Sequence, residues 1–293
     1  MDVATQKDGL GQSQTHPAAK AESGAVRLGE RRFGAVNWLG LQTLYLKEVR
    51  RFLKVAFQTV FAPVISTILF LVVFIQAFGA GRAPINGVPY IEFLAPGLIM
   101  MAILTNAFAN SSSSLIIGKI QGSIVDVLTP PLSASELTVA FVLGAATRGL
   151  LVGFVTAITS AGFMAFSATP MQFEVLWAAL YFSLAAALMF GMFGVIAGVW
   201  AEKFDQLAAI TNFVITPLTF LSGTFYAIKS LPEPFLSFSL FNPVYYLIDG
   251  FRYAFTGVAE SPLEKGVALT LGINIVLAYC CYRLLKSGYK LKS

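Results

Sequence analysis

Six apolar stretches, at about 55–78, 93–117, 137–166, 175–200, 207–228 and 266–285, constrain this chain more than any other feature. A helix rises 1.5 Å per residue, so roughly 20 apolar residues carry it across the hydrocarbon core of a bilayer. Lipid offers no partners to backbone donors and acceptors, so helices or closed barrels are the structures that can span it. Of 293 residues 56% are hydrophobic and 12% charged, against about 25% charged in a soluble domain. The expected fold class is an all-α membrane protein with six transmembrane helices.

One further apolar region does not read as a span. Residues 231–257, LPEPFLSFSLFNPVYYLIDGFRYAFTG, are interrupted by Pro232, Pro234 and Pro243, and Asp249 and Arg252 place charge where a lipid-buried helix tolerates it badly. Short broken helices fit this pattern, packed within protein or lining a wet cavity. Asn242-Pro243 can start a helix, and the i,i+3 spacing of Asp249 and Arg252 permits a local ion pair with a structural rather than a substrate-gripping role.

The basic residues set an orientation. Lys7, Lys20, Arg27, Arg31, Arg32, Lys47, Arg50, Arg51 and Lys54 precede or border the first span, and Arg283, Lys286, Lys290 and Lys292 follow the last. The loop after the first span offers only Arg82. Both termini are therefore expected in the cytoplasm, with 166–174 and 229–265 outside. The net charge of +5 belongs to topology and to anionic membrane lipids, and nucleic acid is not a partner. Residues 1–36, with the single histidine His16, read as a disordered cytoplasmic tail ahead of a membrane domain over 37–293.

Catalytic chemistry is not visible. Gly118-Lys119 is followed by Ile120 and lacks the upstream glycine of a phosphate-binding loop, and there is no HExxH, CxxC or paired-carboxylate pattern, hence no catalytic residue and no metal ligand set. Cys280 and Cys281 are adjacent and point in different directions, which suits packing. Glu92, Asp126, Glu136, Glu174, Glu202 and Asp205 lie in loops or at span ends, so no mid-membrane acid offers proton coupling. Energy for any transport is expected from elsewhere.

Three segments could couple to a partner or to one another. Trp38, Leu41, Tyr45, Val49 and Phe52 recur at helical steps, with Lys47, Glu48, Arg50, Arg51 and Lys54 largely on the remaining surface; this interfacial helix is either an anchor or a lever. In the loop between spans two and three, Ile120, Ile124, Val125 and Leu128 can share one helical side before Pro130-Pro131 ends the helix; the rod lies on lipid or docks a soluble subunit. Arg148 is expected to snorkel to the cytoplasmic interface, the other reading being a buried partner or conduit. Gly149 and Gly153, with Gly194 and Gly198, form small-xxx-small faces for close helix packing.

Together with LSGTFYAIKSLPEP and LFNPVYYLIDGFRYAFTG, and with EFLAPGLIMMAILTNAFAN at 92–110, these features resemble the ABC-2 family of ABC transporter permeases. Within it the chain is most similar to the bacterial inner-membrane YadH-like group, related to nodulation-factor and polysaccharide exporters. The resemblance covers residue 37 onward, and Pro243-x-x-Tyr246 with Arg252 carries its specificity. It implies a permease homodimer joined to two copies of an ABC ATPase, which would hold ATP and Mg, with no cofactor and no enzyme activity on this chain. The coupling element it implies is Lys119, Ile120, Gln121, Ile124, Val125, Asp126, Leu128, Thr129, Pro130 and Pro131. A re-entrant helical hairpin would form an outer gate from Asn242, Pro243, Tyr246, Asp249, Gly250 and Arg252. The translocation route would pass Asn106, Asn110, Thr211, Asn212 and Thr216. The implied function is export of an amphipathic, lipid-like, glycolipid or drug-like substrate from the cytoplasm or inner leaflet, across a bacterial inner membrane; the alternative is a self-powered channel or secondary carrier.

Overall fold

The computed structural model describes residues 36–78, 84–166 and 171–291. The expectations for the tail before Val36, for His16, Arg82 and Lys292, and for residues 167–170 of the loop 166–174 lie outside the described residues. Five helices are long and apolar enough to cross a membrane: α2 (Ala56–Phe78), α3 (Tyr90–Ile120), α5 (Ala134–Phe166), α6 (Leu176–Trp200) and α11 (Leu263–Ser287). The short helix α1 (Trp38–Leu53) precedes them, capped by Asn37, whose side chain accepts from the Gly40 N–H. Between α3 and α5 lies the five-residue α4 (Ile124–Leu128).

Helices α3 and α6 form the centre. Over an 18-residue apolar stretch of each, 78% and 72% of residues are buried, against 11% for α2 and 11% for α11 at the rim. The small-residue faces explain this closeness. A Cβ on Gly194 would stand 2.5 Å from the Phe108 carbonyl oxygen, one on Gly198 2.9 Å from that of Ser112, and one on Gly149 2.9 Å from that of Ile103. Thus α5 and α6 each press a glycine face against α3, where dispersion between close backbones replaces the hydrophobic effect that lipid does not supply.

The fifth apolar segment departs from expectation. It folds as α7 (Phe204–Ile210), a π-helical turn (Thr211–Ile215) and α8 (Thr216–Phe220), a continuous run of only 17 helical residues, about 25 Å long. Pro217 has no N–H to return to the ladder, and the wider π-turn just before it absorbs the mismatch. Gly223, at φ 76°, then turns the chain away. Short as it is, this stretch leaves the end of the bundle where α6 stops and reaches the end where α3 begins: the Tyr90 hydroxyl donates to the Phe225 carbonyl at 3.1 Å.

The proline-broken region forms two short helices, α9 (Phe235–Phe241) and α10 (Pro243–Thr256). Pro243 occupies the first turn of α10, Asn242 accepts from the Val244 N–H at 3.0 Å, and Gly257 closes the helix at φ 66°. The Ala254 carbonyl receives the N–H groups of Glu174 and Val175 at 2.9 and 3.1 Å, which ties α10 to the start of α6.

Candidate transport and coupling sites

At the end where α3 starts, α10 is held by charged groups that do not hold each other. Arg252, 4% exposed, donates from Nε to the Phe93 carbonyl at 3.1 Å and from Nη2 to the Gly223 carbonyl at 2.6 Å, and its guanidinium lies 3.6 Å from the centre of the Phe93 ring. Asp249 accepts from the Glu260 N–H and the Ser261 N–H, both at 2.9 Å, and from the Ser261 hydroxyl at 2.6 Å. The expected Asp249–Arg252 ion pair is therefore not formed. The ion pairs among the described residues are Arg51–Glu48 and Lys290–Glu202. Residues three apart can pair on a helix, but here tertiary partners win: one side chain reaches the loop before α11 and the other reaches α3. Asn242 donates to the Leu218 carbonyl at 2.8 Å and to Ser222 Oγ at 2.7 Å, and the Tyr246 hydroxyl donates to the Leu240 carbonyl at 3.1 Å. At Gly250 an added Cβ would collide with the Phe182 ring.

At the opposite end the coupling candidates divide. Ile120 and Val125 are 54% and 61% exposed, and Gln121, Asp126, Thr129, Pro130 and Pro131 are exposed beside them. Ile124 is buried with the α3–α6 core and Leu128 packs partly against it, so the four apolar residues do not share one outward side. Consecutive helical residues are turned by about 100°, and Gly118 leaves room for Ile124 to fold inward. Lys119 Nζ donates to the Val199 carbonyl at 2.8 Å and also to that of Ala201, capping the end of α6.

Of the route candidates, Asn106 and Asn110 on α3 belong to a buried polar cluster, whereas Thr211, Asn212 and Thr216 lie on the 204–220 helix. Thr211 donates back to the Leu207 carbonyl at 2.9 Å and Asn212 is exposed. A groove of about 320 Å³ runs between α2 and α3, lined by Pro63, Ser66, Thr67, Phe70, Met101, Thr105 and Asn106 among others.

The centre of the polar cluster escaped the sequence reading. Glu48, placed on the polar surface of α1, is fully buried: it accepts from Ser114 Oγ at 2.8 Å and meets Arg51 Nε at 3.3 Å. Arg51 Nη1 donates to Ser113 Oγ at 3.2 Å, and its Nη2 donates to Asn110. Arg148 is half-buried on α5, and its Nη2 donates to Asn106 Oδ1 at 3.4 Å, so it has a partner in α3 rather than a purely interfacial position. Two signals could have exposed the cluster: the Glu48-x-x-Arg51 spacing, and a run of Asn110 with four serines inside an apolar span.

Helices of this length around a glycine-packed centre define a polytopic helical membrane protein. The family profile described as ABC-2 type transporter matches residues 40–256, and the chain belongs to that family. It is 34% identical over 256 residues, 87% of this chain and 98% of the relative, to the inner membrane transport permease YadH of Escherichia coli. It is 26% identical over 254 residues, 84% of this chain and 92% of the relative, to nodulation protein J of Rhizobium leguminosarum bv. viciae. Nodulation protein J of Rhizobium meliloti is 24% identical over 247 residues, 84% and 88% of the two chains.

Proposed function

We propose that this chain is the permease subunit of an ATP-binding cassette exporter in a bacterial inner membrane. Two copies pair with two copies of a separate ATPase, which holds ATP and Mg, and together they move an amphipathic, lipid-like, glycolipid or drug-like substrate out of the cytoplasm or inner leaflet. The described residues 36 and 291 face the cytoplasm with α4, which requires the 204–220 helix to serve as a sixth crossing. In this reading α9 and α10 are a re-entrant hairpin at the outer mouth, and the route runs between the two permeases past α2, α3 and the 204–220 helix.

The observation that carries the reading is the exposed pair Ile120 and Val125 beside Pro130-Pro131. An apolar surface on a short loop facing water calls for a protein partner, in a chain 34% identical to a protein named an inner membrane transport permease. ATP-driven closure of the ATPase dimer would push this loop, shift the helices and part the outer hairpins.

Co-purification with the candidate ATPase and nucleotide hydrolysis in proteoliposomes test it. Association and permease-dependent ATP hydrolysis are the expected results. Neither appearing, or substrate flux through this chain alone without nucleotide, overturns the reading in favour of a self-powered channel or carrier.

A further inference from the structure

The cluster between α1, α3 and α5 carries more positive charge than its own contacts neutralise. It holds two guanidiniums, Arg51 and Arg148, and one carboxylate, Glu48, which is already engaged by Arg51 and Ser114, while Arg148 bonds to Asn106. Two donors within it, Arg148 Nε and Asn110 Nδ2, are buried with no hydrogen-bond partner. Asn110 is fully buried, and a Cβ on Gly144, one turn before Arg148 on α5, would lie 2.7 Å from Glu48 Cβ and 3.9 Å from that orphaned amide nitrogen. Residues four apart share a helix face, so Arg148 looks toward the same cluster as Gly144. A buried donor left unmade costs on the order of 1–3 kcal/mol, so evolution of a purely structural cluster would not be expected to leave two.

Depth gives the cluster a second property. Arg51 lies just before α2 begins at Ala56, and α2 with 23 residues is about as long as a bilayer core is thick, so Arg51 sits at headgroup level on the cytoplasmic side of the proposed orientation. Asn106, Arg148's partner, is one helical turn, about 5.4 Å, below Asn110. The α2–α3 groove starts at Asn106 and descends along Thr105, Met101 and Phe70 into the apolar zone.

The geometry points to a binding site for an amphiphile with an anionic headgroup: a phosphate or carboxylate held by Arg148, Asn110 and Arg51, with its apolar chain in the α2–α3 groove. The site rests on the proposed permease reading for its orientation and makes that reading specific about substrate class. Arginine suits the task because its planar fork matches two oxygens of a phosphate or carboxylate and is weakly hydrated.

Native mass spectrometry of the full-length protein in detergent, titrated with dioleoyl phosphatidate, dioleoyl phosphatidylcholine and inorganic phosphate, tests the site. Phosphatidate is expected to bind at least tenfold more tightly than phosphatidylcholine, the preference falling below twofold in Arg148→Gln and lying between in Arg148→Lys, which keeps the charge and loses the fork. Ser66→Trp, at an exposed groove position remote from the charges, is expected to weaken phosphatidate binding at least fivefold and serves if Arg148→Gln does not fold. Equal binding of the two lipids, or an unchanged preference in folded Arg148→Gln, overturns the headgroup site. Unchanged binding in Ser66→Trp overturns the groove, and displacement of phosphatidate by inorganic phosphate at equal concentration overturns an amphiphile in favour of a free anion. Association with the ATPase, measured in parallel, separates these failures from failure of the transporter reading.

Discussion

Arg51 meets Asn110 twice: its Nη2 donates to the Asn110 main-chain oxygen at 2.6 Å and to the side-chain oxygen at 3.0 Å. With Glu48 bonded to Ser114, this fastens the end of α1 to the interior of α3. A lever reading of α1 requires that these contacts hold it to α3. Glu48→Ala is expected to destabilise the protein by about 1–3 kcal/mol, because Arg51 and Ser114 lose a buried partner. Thermal unfolding in detergent, run as a double-mutant cycle with Ser114→Ala, measures the coupling. A silent Glu48→Ala would mean that α1 simply rests on lipid.

Arg252 supplies two backbone carbonyls on different segments, Phe93 on α3 and Gly223 after α8. A lysine has one nitrogen where the guanidinium uses two, and it stacks less well on Phe93. Arg252→Lys is expected to cost about 1–3 kcal/mol and to raise protease sensitivity around 221–242. Full resistance to limited proteolysis in that variant would show that the two carbonyl bonds do not hold this region.

The glycine faces make a paired prediction. Gly194→Ala places a methyl against the Phe108 backbone, which cannot rotate away, and should destabilise by about 1–3 kcal/mol. Gly162→Ala, with nothing within 4 Å of its would-be Cβ, should be neutral or stabilising by up to about 1 kcal/mol. Equal unfolding temperatures for the two variants would contradict the close α3–α6 packing.

Neighbouring residues on α4 should behave in opposite ways. Val125→Asp is expected to leave unfolding unchanged, within about 0.5 kcal/mol, while abolishing association with the ATPase. Ile124→Ala removes buried methylenes and should cost about 2–4 kcal/mol whether or not a partner is present. Normal binding by Val125→Asp would place the docking surface elsewhere.

The Glu202–Lys290 bridge, 2.7 Å long, closes the last turn of the described chain onto the end of α6. The hydrogen bond from Lys290 holds the Glu202 carboxyl below its ordinary 4.5, and the same bond lifts Lys290 above its ordinary 10.5. The Glu202 contribution is complete above 4.5 and lost as pH falls through its depressed folded value; that of Lys290 is complete below 10.5 and lost as pH rises through its raised one. Amide exchange at residues 288–291 should thus be slowest, after correction for intrinsic rates, across the neutral range and accelerate in acid. Glu202→Gln should remove the acid dependence, and an unaltered profile in that variant would exclude the bridge as its cause.

Much was legible locally. Five of the six apolar stretches, the helix start at Asn242-Pro243 and the glycine faces follow from rules that act within one or two turns, and the structure shows five long apolar helices, that helix start and those close glycine contacts. Where the reading failed, the deciding contact lay far along the chain. One exception is local: the helical run that starts at Phe204 ends at Phe220, just before the turn at Gly223, and cuts short an apolar stretch that hydropathy counted as a span to 228. Asp249 and Arg252 found partners in the loop before α11 and in α3 instead of each other.

The sequence by itself determined that this chain belongs in a membrane, roughly where it crosses, and which family it resembles, because lipid imposes its demands residue by residue: length, apolarity and backbone pairing within each helix. The tertiary structure alone decided which polar residues face one another. Glu48, Arg51, Asn106, Asn110 and Arg148 come from three helices, and hydropathy carries no record of which faces meet, so only packing reveals that they form one polar, charged cluster.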